Sequence, residues 1–332
     1  MVVKASIIIP VYNAEDTVRR AIDSAVNQTT DEPYEVILID DGSKDESAAI
    51  LDEYADRYAY VRVIHQDNQG ITRTRENGIK ISQGEFVFWV DSDDYADAHL
   101  LEKTLPLLES GADVVIYGTQ YFCEKGGKAD NRIRKNISDA TYWKQQALNA
   151  NLSTIWTYGT RRRFWEGESA PSEVARSAAD GYMTIRIFGK AESFHVLPDI
   201  LYYHLVDSPF SIRHTFNGKR YLGNAFLWYY RLKCSEKQYP ENTEACVARA
   251  MSGYIKAYAM DTVTHDLTEE DRQNIIKALQ DLKRYSISGR IRDKLLGWAI
   301  LHNQLWLCRI YAQHKNSKTQ QMNKKMKKLI KD

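Results

Sequence analysis

The sequence has no hydrophobic run long enough to cross a membrane. A transmembrane helix needs about 20 consecutive apolar residues, whereas the most aromatic stretch, residues 221–230, is shorter and is interrupted by polar residues. The amino terminus leads directly into a predicted strand, without the apolar segment and cleavage site of a secretory signal. These absences predict a soluble, cytoplasmic protein, and they do not exclude contact with the surface of a membrane.

An excess of one charge is also absent, and cysteine is scarce. The chain has 45 Lys and Arg against 44 Asp and Glu, a formal net charge of +1. Nucleic-acid-binding proteins usually have a strongly basic surface, so we expect no nucleic-acid partner. The cysteines at positions 123, 234, 246 and 308 are far apart. This spacing is not that of a disulfide framework or a cysteine metal site, and it predicts reduced thiols.

The first 120 residues alternate short apolar runs with helical patterns. The predicted strands are residues 6–9, 36–39, 61–64, 86–90 and 114–117, and the predicted helices are 15–27, 46–58, 72–82 and 98–109. Alternation of strands and helices implies right-handed crossovers and a doubly wound, mainly parallel sheet. The sequence therefore predicts the α/β fold class for this part of the chain.

The rest of the chain has a different pattern. From residue 120 to about residue 212 the alternation is broken by predicted loops, and a further strand is predicted at 200–206. Beyond residue 217 the predicted helices are 218–233, 244–262, 269–284 and 290–314. We therefore predict two halves of one α/β domain, residues 1–118 and 119–216, followed by a C-terminal helical region, residues 217–332.

Acidic residues follow the fourth predicted strand. Residues 86–89 are apolar and predict a buried parallel strand, and the next residues are Val90-Asp91-Ser92-Asp93-Asp94. Because residues two apart on a strand point the same way, Asp91 and Asp93 should project together from its carboxyl end, where open α/β sheets bind ligands. Paired carboxylates suit Mg²⁺ or Mn²⁺ holding a diphosphate. The alternative is a solvated acidic turn.

Polar residues also follow the first two predicted strands, at positions 10–13 and 40–43. In a parallel sheet these ends lie beside the acidic one, which favours a shared site over three unrelated turns. Tyr12 is able to stack on a nucleotide base, Asp41 to accept a hydrogen bond from a base N–H, and Gly42 to form a tight turn. Each residue also has a structural alternative. Tyr12 alone is compatible with packing at the rim of the fold, and Asp41 with Gly42 is compatible with an ordinary turn.

Four segments together resemble the amino-terminal signature of the family 2 glycosyltransferases, which have the GT-A fold. The segments are residues 6–13, 39–43, 70–79 and 84–94, so the resemblance covers roughly the first 118 residues. It implies a nucleotide-sugar donor, with UDP as the default nucleotide, a divalent metal ion, and inversion at the anomeric carbon. It also implies that residues 1–118 bind the donor and residues 119–216 the acceptor.

The resemblance assigns roles to individual residues. Those that contact or support the nucleotide are Pro10, Tyr12, Asn13, Asp40, Asp41, Arg75 and Asp91. Asp91 and Asp93 form the acidic motif, in which Asp93 is the more direct metal ligand. The chain departs from the family at Glu76, which replaces the Asn of a common Ala-Arg-Asn run, whereas Arg75 matches it.

The catalytic base is expected in the second half of the α/β domain. Inverting transfer needs a carboxylate that takes the proton of the acceptor hydroxyl, and in the family this residue ends a Glu-Asp pair at the start of a helix. The best alignment places it at Asp180, with Ala179 in place of the Glu and Ser211-Ile212 as a later element. The alternatives are an ordinary helix N-cap at Asp180, or a base among three other acids, Glu166, Glu168 and Glu173.

We therefore expect a metal-dependent inverting glycosyltransferase that acts on a glycan or lipid-linked glycan in bacterial capsule, exopolysaccharide or lipopolysaccharide synthesis. Nucleotidyl transfer fits less well, because residues 10–13 lack a glycine-rich basic phosphate loop. A non-catalytic nucleotide- or glycan-binding scaffold of the same fold is the main alternative, and the missing Glu before Asp180 leaves room for it.

The C-terminal region suggests two further partners. In residues 318–332 one helical face carries Met322, Met326, Leu329 and Ile330, with four lysines around them. This basic amphipathic pattern is compatible with peripheral contact to an anionic lipid surface, although a frayed, solvated terminus is an equal alternative. The many aromatic residues of the helical region have to be buried somewhere, which is compatible with a homodimer.

Overall fold

The computed structural model describes residues 2–123, 130–167, 169–174, 178–206, 217–285, 291–315 and 317. The chain divides into two compact units. The first comprises Met1–Ala170 with Met183–Pro209, and the second comprises Pro171–Tyr182 with Phe210–Asp332. The division into three parts at residues 118 and 216 stays a prediction.

The amino-terminal half of the first unit is a parallel α/β structure. Its elements are β1 (Ala5–Val11), α1 (Val18–Val26), β2 (Tyr34–Asp40), α2 (Ser47–Arg57), β3 (Val61–His65), α3 (Ile71–Ile81) and β4 (Phe86–Trp89). The strands lie in the order β3-β2-β1-β4, and every neighbouring pair is parallel. All residues of β1 and β4 are buried, as expected for strands covered on both faces. The predicted alternation of strands and helices is confirmed.

The second half of the sheet is mixed. Its elements are β5 (Tyr95–Ala96), α4 (Leu100–Glu109), β6 (Val114–Phe122), β7 (Asp130–Arg132), α5 (Ala140–Leu148), β8 (Tyr158–Arg161), α6 (Ala179–Lys190) and β9 (Phe194–Leu205). The sheet continues from β4 in the order β8-β6-β9-β5, with β7 paired to β6. Only β6 and β9 are parallel; the other pairs are antiparallel. The predicted strand at 200–206 is the end of β9.

The close packing of α3 on the sheet depends on Gly78. A Cβ atom at this position would lie 2.7 Å from side-chain atoms of both Ile8 on β1 and Ile39 on β2. A side chain here would push α3 away from the two strands, because contacts this short force the neighbouring atoms to move. Gly78 therefore sets the position of the helix that carries Arg75.

The second unit is helical, as predicted for the region after residue 217. It contains α7 (Gly218–Ser235), α8 (Thr243–Thr264), α9 (Glu269–Leu282), α10 (Ile291–Leu301) and a helical segment at 305–315. The single helix predicted at 290–314 is wrong, since the chain turns at Asn303, which has a left-handed φ of 57°. Asn adopts this conformation more readily than most residues. In the described part of the chain, no helix is long and apolar enough to cross a bilayer.

Candidate functional site

The carboxyl ends of β1, β2 and β4 lie side by side at one edge of the sheet. The last residue of β1, Val11, pairs with Asp40 on β2, and Ile8 pairs with Trp89 at the end of β4. Three polar turns follow these strands, at residues 12–13, 41–43 and 91–94. The structure therefore brings together the site residues predicted on these three turns.

The turn after β1 is joined to the turn after β2 through Asn13. This residue has a left-handed φ of 48°. Its backbone N–H donates to Ser43 Oγ at 3.0 Å, and its Oδ1 accepts from the backbone N–H of Lys44 at 2.7 Å. Pro10 is buried in β1, whereas Tyr12 is 51% exposed. The ring of Tyr12 is therefore accessible to a base, and Asn13 supports the turn that presents it.

Asp40 supports the same turn from below. Its Oδ1 accepts from the backbone N–H of Ser43 at 2.8 Å, and its Oδ2 lies 3.2 Å from Nδ1 of His65. The other ring nitrogen of His65 lies 3.0 Å from Asp52 Oδ1. The hydrogen bond to Asp52, joined by the one to Asp40, raises the pKa of His65 against the effect of its partial burial. The carboxylate of Asp40 is thus occupied within the protein.

Asp41 is buried and organises the segment that leads into α3. Its Oδ1 accepts from Gln66 Nε2 and from the backbone N–H of Gln69, both at 2.8 Å. Its Oδ2 accepts from the backbone N–H of Gly70 at 2.9 Å. A carboxylate has about four acceptor positions, so Asp41 retains room for one more donor, such as a base N–H. Its role in holding Gln69 and Gly70 could not be read from the sequence.

Arg75 connects α3 to the acidic turn. It is buried, its Nη2 donates to Asp91 Oδ1 at 2.9 Å, and its guanidinium lies 5.8 Å from the ring centroid of Trp89. A buried charge that loses its partner is strongly destabilising, so this ion pair holds both side chains in place. Asp91 is therefore already bound to a cation of the protein.

The acidic residues lie in a turn and not on a strand. Strand β4 ends at Trp89, and the backbone N–H of Asp94 donates to the carbonyl of Asp91 at 3.0 Å. The prediction that strand alternation aligns Asp91 with Asp93 is therefore wrong, because the short β4 has ended before either residue. Both acids nevertheless lie close enough to Asp94 and His204 for their charges to raise the pKa of each of these two groups. The carbonyl of Asp93 accepts from Arg20 Nη2 at 2.8 Å, and its side chain is partly exposed.

Asp94, which the sequence analysis did not single out, is the residue that anchors this turn. It is fully buried, and its carboxylate accepts from the Tyr202 hydroxyl and the backbone N–H of Leu205, both at 2.8 Å. It also lies 2.9 Å from Nδ1 of His204. Burial raises the pKa of Asp94 to about 6, although the hydrogen bond with His204 acts in the opposite direction.

Strand β9 supplies these partners and reaches Asp91 as well. The Tyr202 hydroxyl accepts from the backbone N–H of Asp91 at 3.0 Å while it donates to Asp94. The ring of His204 stacks on Trp156, with centroids 4.8 Å apart. Burial lowers the pKa of His204, but the hydrogen bond to Asp94 and the charge of that group outweigh it, and the pKa is raised. More than 100 positions separate β9 from the turn in sequence, so no local pattern reveals this support.

The residues of the acidic turn fit a divalent ion that is shared with a substrate. Among the residues that the structure describes, no group of three or more His, Cys, Asp or Glu side chains could enclose a metal ion. Asp91 and Asp93 provide two carboxylates, and Asp91 is partly neutralised by Arg75. Mg²⁺ is commonly held by one or two carboxylates together with substrate phosphates and water. The donor set therefore fits Mg²⁺ or Mn²⁺ bound together with a diphosphate.

Asp180 lies in the second unit, within the first turn of α6 (Ala179–Lys190). It is the second residue of the helix and not the residue that precedes it, which distinguishes it from an N-cap. The next residue packs tightly inside this unit, since a Cβ atom on Gly181 would lie 2.6 Å from Leu227 Cδ2. A larger residue at position 181 would therefore displace the start of α6, and Asp180 with it.

The competing acids have other partners or are not described. Glu166 forms an ion pair with Arg162 at 2.7 Å. Glu173 accepts from Asn274 Nδ2 at 3.4 Å within the second unit. Glu168 and Ser211-Ile212 lie outside the described residues. The assignment of the base to Asp180 stays a prediction.

Glu76, the departure from the family pattern, has a defined structural task. Its Oε1 accepts from the backbone N–H of Ala170 at 2.6 Å, and its Oε2 forms an ion pair with Arg73. It thus ties α3 to the segment that precedes Pro171, within the first unit. Arg73 is consequently engaged by Glu76.

Comparison with known proteins places these features in a family. Residues 6–167 match the family model described as glycosyl transferase family 2. The uncharacterized glycosyltransferase EpsJ of Bacillus subtilis (strain 168) is 30% identical over 211 residues, which are 61% of each chain. The poly(ribitol-phosphate) beta-glucosyltransferase of Bacillus spizizenii is also 30% identical over 211 residues, 61% of this chain and 32% of that enzyme. The chain thus spans less than two thirds of the length of these relatives.

Solved structures match over more of the chain. Residues 1–349 of TarS from S. aureus superpose with a TM-score of 0.58 at 20% identity, covering 95% of this chain and 92% of that one. The same protein in complex with UDP-GlcNAc gives a TM-score of 0.59 at 18% identity, with the same coverage. At this level of identity the likeness establishes the fold alone.

Proposed function

Because residues 6–167 match glycosyl transferase family 2 and the chain has the GT-A fold, we propose that it is an inverting glycosyltransferase that moves a sugar from a UDP-sugar to a hydroxyl group of a glycan or lipid-linked glycan. The observation that carries this proposal is the meeting of three polar turns at the carboxyl ends of β1, β2 and β4. Open α/β sheets bind nucleotides at this edge. Structures of the neighbour TarS with UDP and with UDP-GlcNAc support the choice of nucleotide.

The three turns divide the work of binding the donor. The exposed ring of Tyr12 stacks on the uracil, and the remaining acceptor position of Asp41 receives the uracil N–H. Asp93 and Asp91 would hold Mg²⁺ or Mn²⁺ together with the diphosphate. A divalent ion in that place neutralises the negative charge that develops on the departing UDP. Arg75 fixes Asp91 for this role through the ion pair described above.

Asp180 serves as the general base in this proposal. As the acceptor oxygen attacks the anomeric carbon, the bond from that carbon to the β-phosphate oxygen breaks and UDP leaves. The proton of the acceptor hydroxyl passes to the carboxylate of Asp180, and the new glycosidic bond has the inverted configuration. This assignment is supported by the position of Asp180 in the first turn of α6, where the family pattern expects the base.

The acceptor belongs to a bacterial surface glycan in this proposal. The names of the relatives support this, since one of them is a poly(ribitol-phosphate) beta-glucosyltransferase. Capsule, exopolysaccharide and lipopolysaccharide units are glycans of this class. The basic tail, residues 318–332, lies outside the described residues, and its contact with lipid stays a prediction, as does the homodimer.

UDP release from a panel of UDP-sugars tests the chemistry. The assay is run with Mn²⁺, with Mg²⁺ and with a chelator, on the wild type, Asp93→Asn and Asp180→Asn. Asp31→Asn is the matched control, because Asp31 is exposed and precedes the amino end of β2, whereas the three turns follow the carboxyl ends of their strands. We expect turnover by the wild type to depend on the metal ion. It should fall about a hundredfold or more in Asp93→Asn and in Asp180→Asn, and it should be unchanged in Asp31→Asn.

Two outcomes would contradict the proposal. Full turnover in the presence of the chelator, or by the Asp93→Asn variant, would show that the acidic turn takes no part in catalysis. Thermal stabilisation by UDP without turnover of any sugar would favour the non-catalytic, nucleotide-binding alternative.

A further inference from the structure

Two helical segments of the second unit expose large apolar side chains. Leu295 and Trp298 on α10 are 56% and 51% exposed, and Trp306 and Ile310 in the segment 305–315 are 59% and 58% exposed. Within each pair the spacing is three or four residues, so the two side chains lie on the same face of their helix. These four residues are called the outer apolar residues below.

Within the part of the chain that the structure describes, the outer apolar residues stay exposed, although the ring of Trp298 stacks on His302 with centroids 4.7 Å apart. Other residues of the same helices already supply the core of this unit, with Leu296, Ala299, Ile300, Cys308 and Ala312 buried. Eight large hydrophobic side chains are exposed in the described part of the molecule, and four of them fall between positions 295 and 310. Such a concentration marks an interaction surface rather than scattered exposure.

The charge of this part of the chain is strongly one-sided. Residues 294–331 contain no Asp or Glu, and they contain nine basic residues: Lys294, Arg309, Lys315, Lys318, Lys324, Lys325, Lys327, Lys328 and Lys331. Since the whole chain has a net charge of +1, the other residues together carry −8. Three of the nine, Lys294, Arg309 and Lys315, belong to α10 and the segment 305–315, and the other six follow in sequence.

We propose that α10 and the segment 305–315 dock this protein on an anionic lipid surface. Trp side chains favour the headgroup region of a bilayer, where the ring is buried and its N–H stays hydrated. Neighbouring lysines and arginines are attracted to anionic lipid headgroups. A second copy of the chain is a poorer occupant, because two such faces would bring like charges together.

Lipid docking is independent of the sugar chemistry, although it has an evident use in the proposed function. A lipid-linked glycan acceptor is itself held at a membrane, so docking would raise the frequency of encounter. The test below measures no turnover. Its failure would therefore leave the proposed transferase activity intact, and failure of the transferase assay would leave docking intact.

Vesicle binding of the full chain tests the proposal. Co-sedimentation and tryptophan emission are measured with vesicles of phosphatidylcholine, with or without phosphatidylglycerol. We expect the wild type to bind the anionic vesicles with a blue shift of its emission. The double variant Trp298→Ala/Trp306→Ala should bind about tenfold more weakly or worse and lose most of that shift, because each indole contributes a large apolar area.

A matched pair of isoleucines controls for general loss of surface hydrophobicity. Ile310 and Ile133 are 58% and 57% exposed, and each has arginine beside it in sequence, but Ile133 lies in the first unit. We expect Ile310→Ser to weaken vesicle binding and Ile133→Ser to leave it unchanged. Circular dichroism melting confirms that each variant is folded.

Three results would overturn the proposal. The first is equal vesicle binding by the wild type and the double tryptophan variant. The second is binding that is lost only when the lysines at 324, 325, 327 and 328 are changed to Gln, which would assign docking to the tail alone. The third is a wild-type dimer in light scattering that dissociates in the tryptophan variant while neither protein binds vesicles.

Discussion

The parallel and mixed halves of the sheet contribute to the candidate site in different ways. The parallel strands β1, β2 and β4 each end in a polar turn that offers one group to a ligand: the exposed ring of Tyr12, the remaining acceptor position of Asp41, and the partly exposed Asp93. The mixed half contributes β9, whose Tyr202 and His204 form hydrogen bonds with the buried carboxylate of Asp94. The side chains proposed to contact the ligand directly follow the strands that carry them. The side chains of β9 that hold the acidic turn in place are more than 100 residues away in sequence.

Two neighbouring acids show this difference most directly. Asp93 has a partly exposed side chain, and Asp94 is fully buried with three hydrogen-bonding partners from β9. The same chemical change at the two positions should therefore affect different properties. Loss of Asp93 should impair the ligand site, and loss of Asp94 should impair the fold.

The largest effect is expected for Asp93→Asn, on activity. Removing one carboxylate from the proposed metal and diphosphate site should lower the turnover of a UDP-sugar by about a hundredfold or more, a change of about 3 kcal/mol in the activation free energy. The free energy of unfolding, measured in urea, should stay within about 0.5 kcal/mol of the wild type. A loss of stability large enough to account for the lost activity would contradict the assignment of Asp93 to the ligand site and not to the fold.

Asp94→Asn should have its main effect on stability. The amide cannot replace a carboxylate that accepts from Tyr202, Leu205 and His204 at once, so buried groups lose their partner. We expect the free energy of unfolding to fall by about 3 kcal/mol, measured by urea denaturation with Asp93→Asn as the matched control. Equal stability of the two variants would show that β9 does not anchor the turn.

Tyr202→Phe tests whether β9 holds the acidic turn in place. The variant keeps the ring but removes the hydroxyl that accepts from the backbone N–H of Asp91 and donates to Asp94. A loss of about 1–3 kcal/mol in unfolding free energy is expected, together with a higher KM for the donor. Tyr203→Phe is the control, since its hydroxyl makes only a 3.4 Å contact with Asp97. A decrease of the same size in both variants would contradict the bridging role of Tyr202.

The smallest effect concerns His65, which belongs to the parallel half. Its pKa is raised in the folded protein by Asp52 and Asp40, so its contribution to stability is fully present below the unfolded pKa, about 6.5, and is lost as the pH rises through the folded pKa. The side chain is 43% exposed, so the contribution should be below about 1 kcal/mol. The stability difference between the wild type and His65→Asn should shrink between mildly acidic and alkaline pH; a difference that is independent of pH would exclude this linkage.

Much of the parallel half could be predicted from the sequence. Buried parallel strands are continuous apolar runs, and the helices between them have clear periodicity, so β1 to β4 and α1 to α3 were recognised. The polar residues after β1, β2 and β4 were placed at one edge because parallel neighbours align their ends. The alignment of Asp91 with Asp93 failed because the end of β4 depends on its pairing with β1, which an apolar pattern does not reveal.

The mixed half was predicted less well for physical reasons. Strands such as β5 and β8 have only two and four residues, too short for a periodic pattern. The role of Asp94 depends on Tyr202 and His204, and that of Glu76 on Ala170, which are contacts between distant positions. In the helical unit, the turn at Asn303 interrupts a pattern that remains helical on both sides.

A crystal structure of the protein with UDP and Mn²⁺ would show whether the three turns bind the donor and the metal ion together. We expect electron density for uracil beside Tyr12 and Asp41 and for the diphosphate at the turn of residues 91–94. We also expect an anomalous manganese peak within coordination distance of Asp93. Uracil density away from the turns after β1 and β2, or a manganese peak away from Asp91 and Asp93, would contradict it.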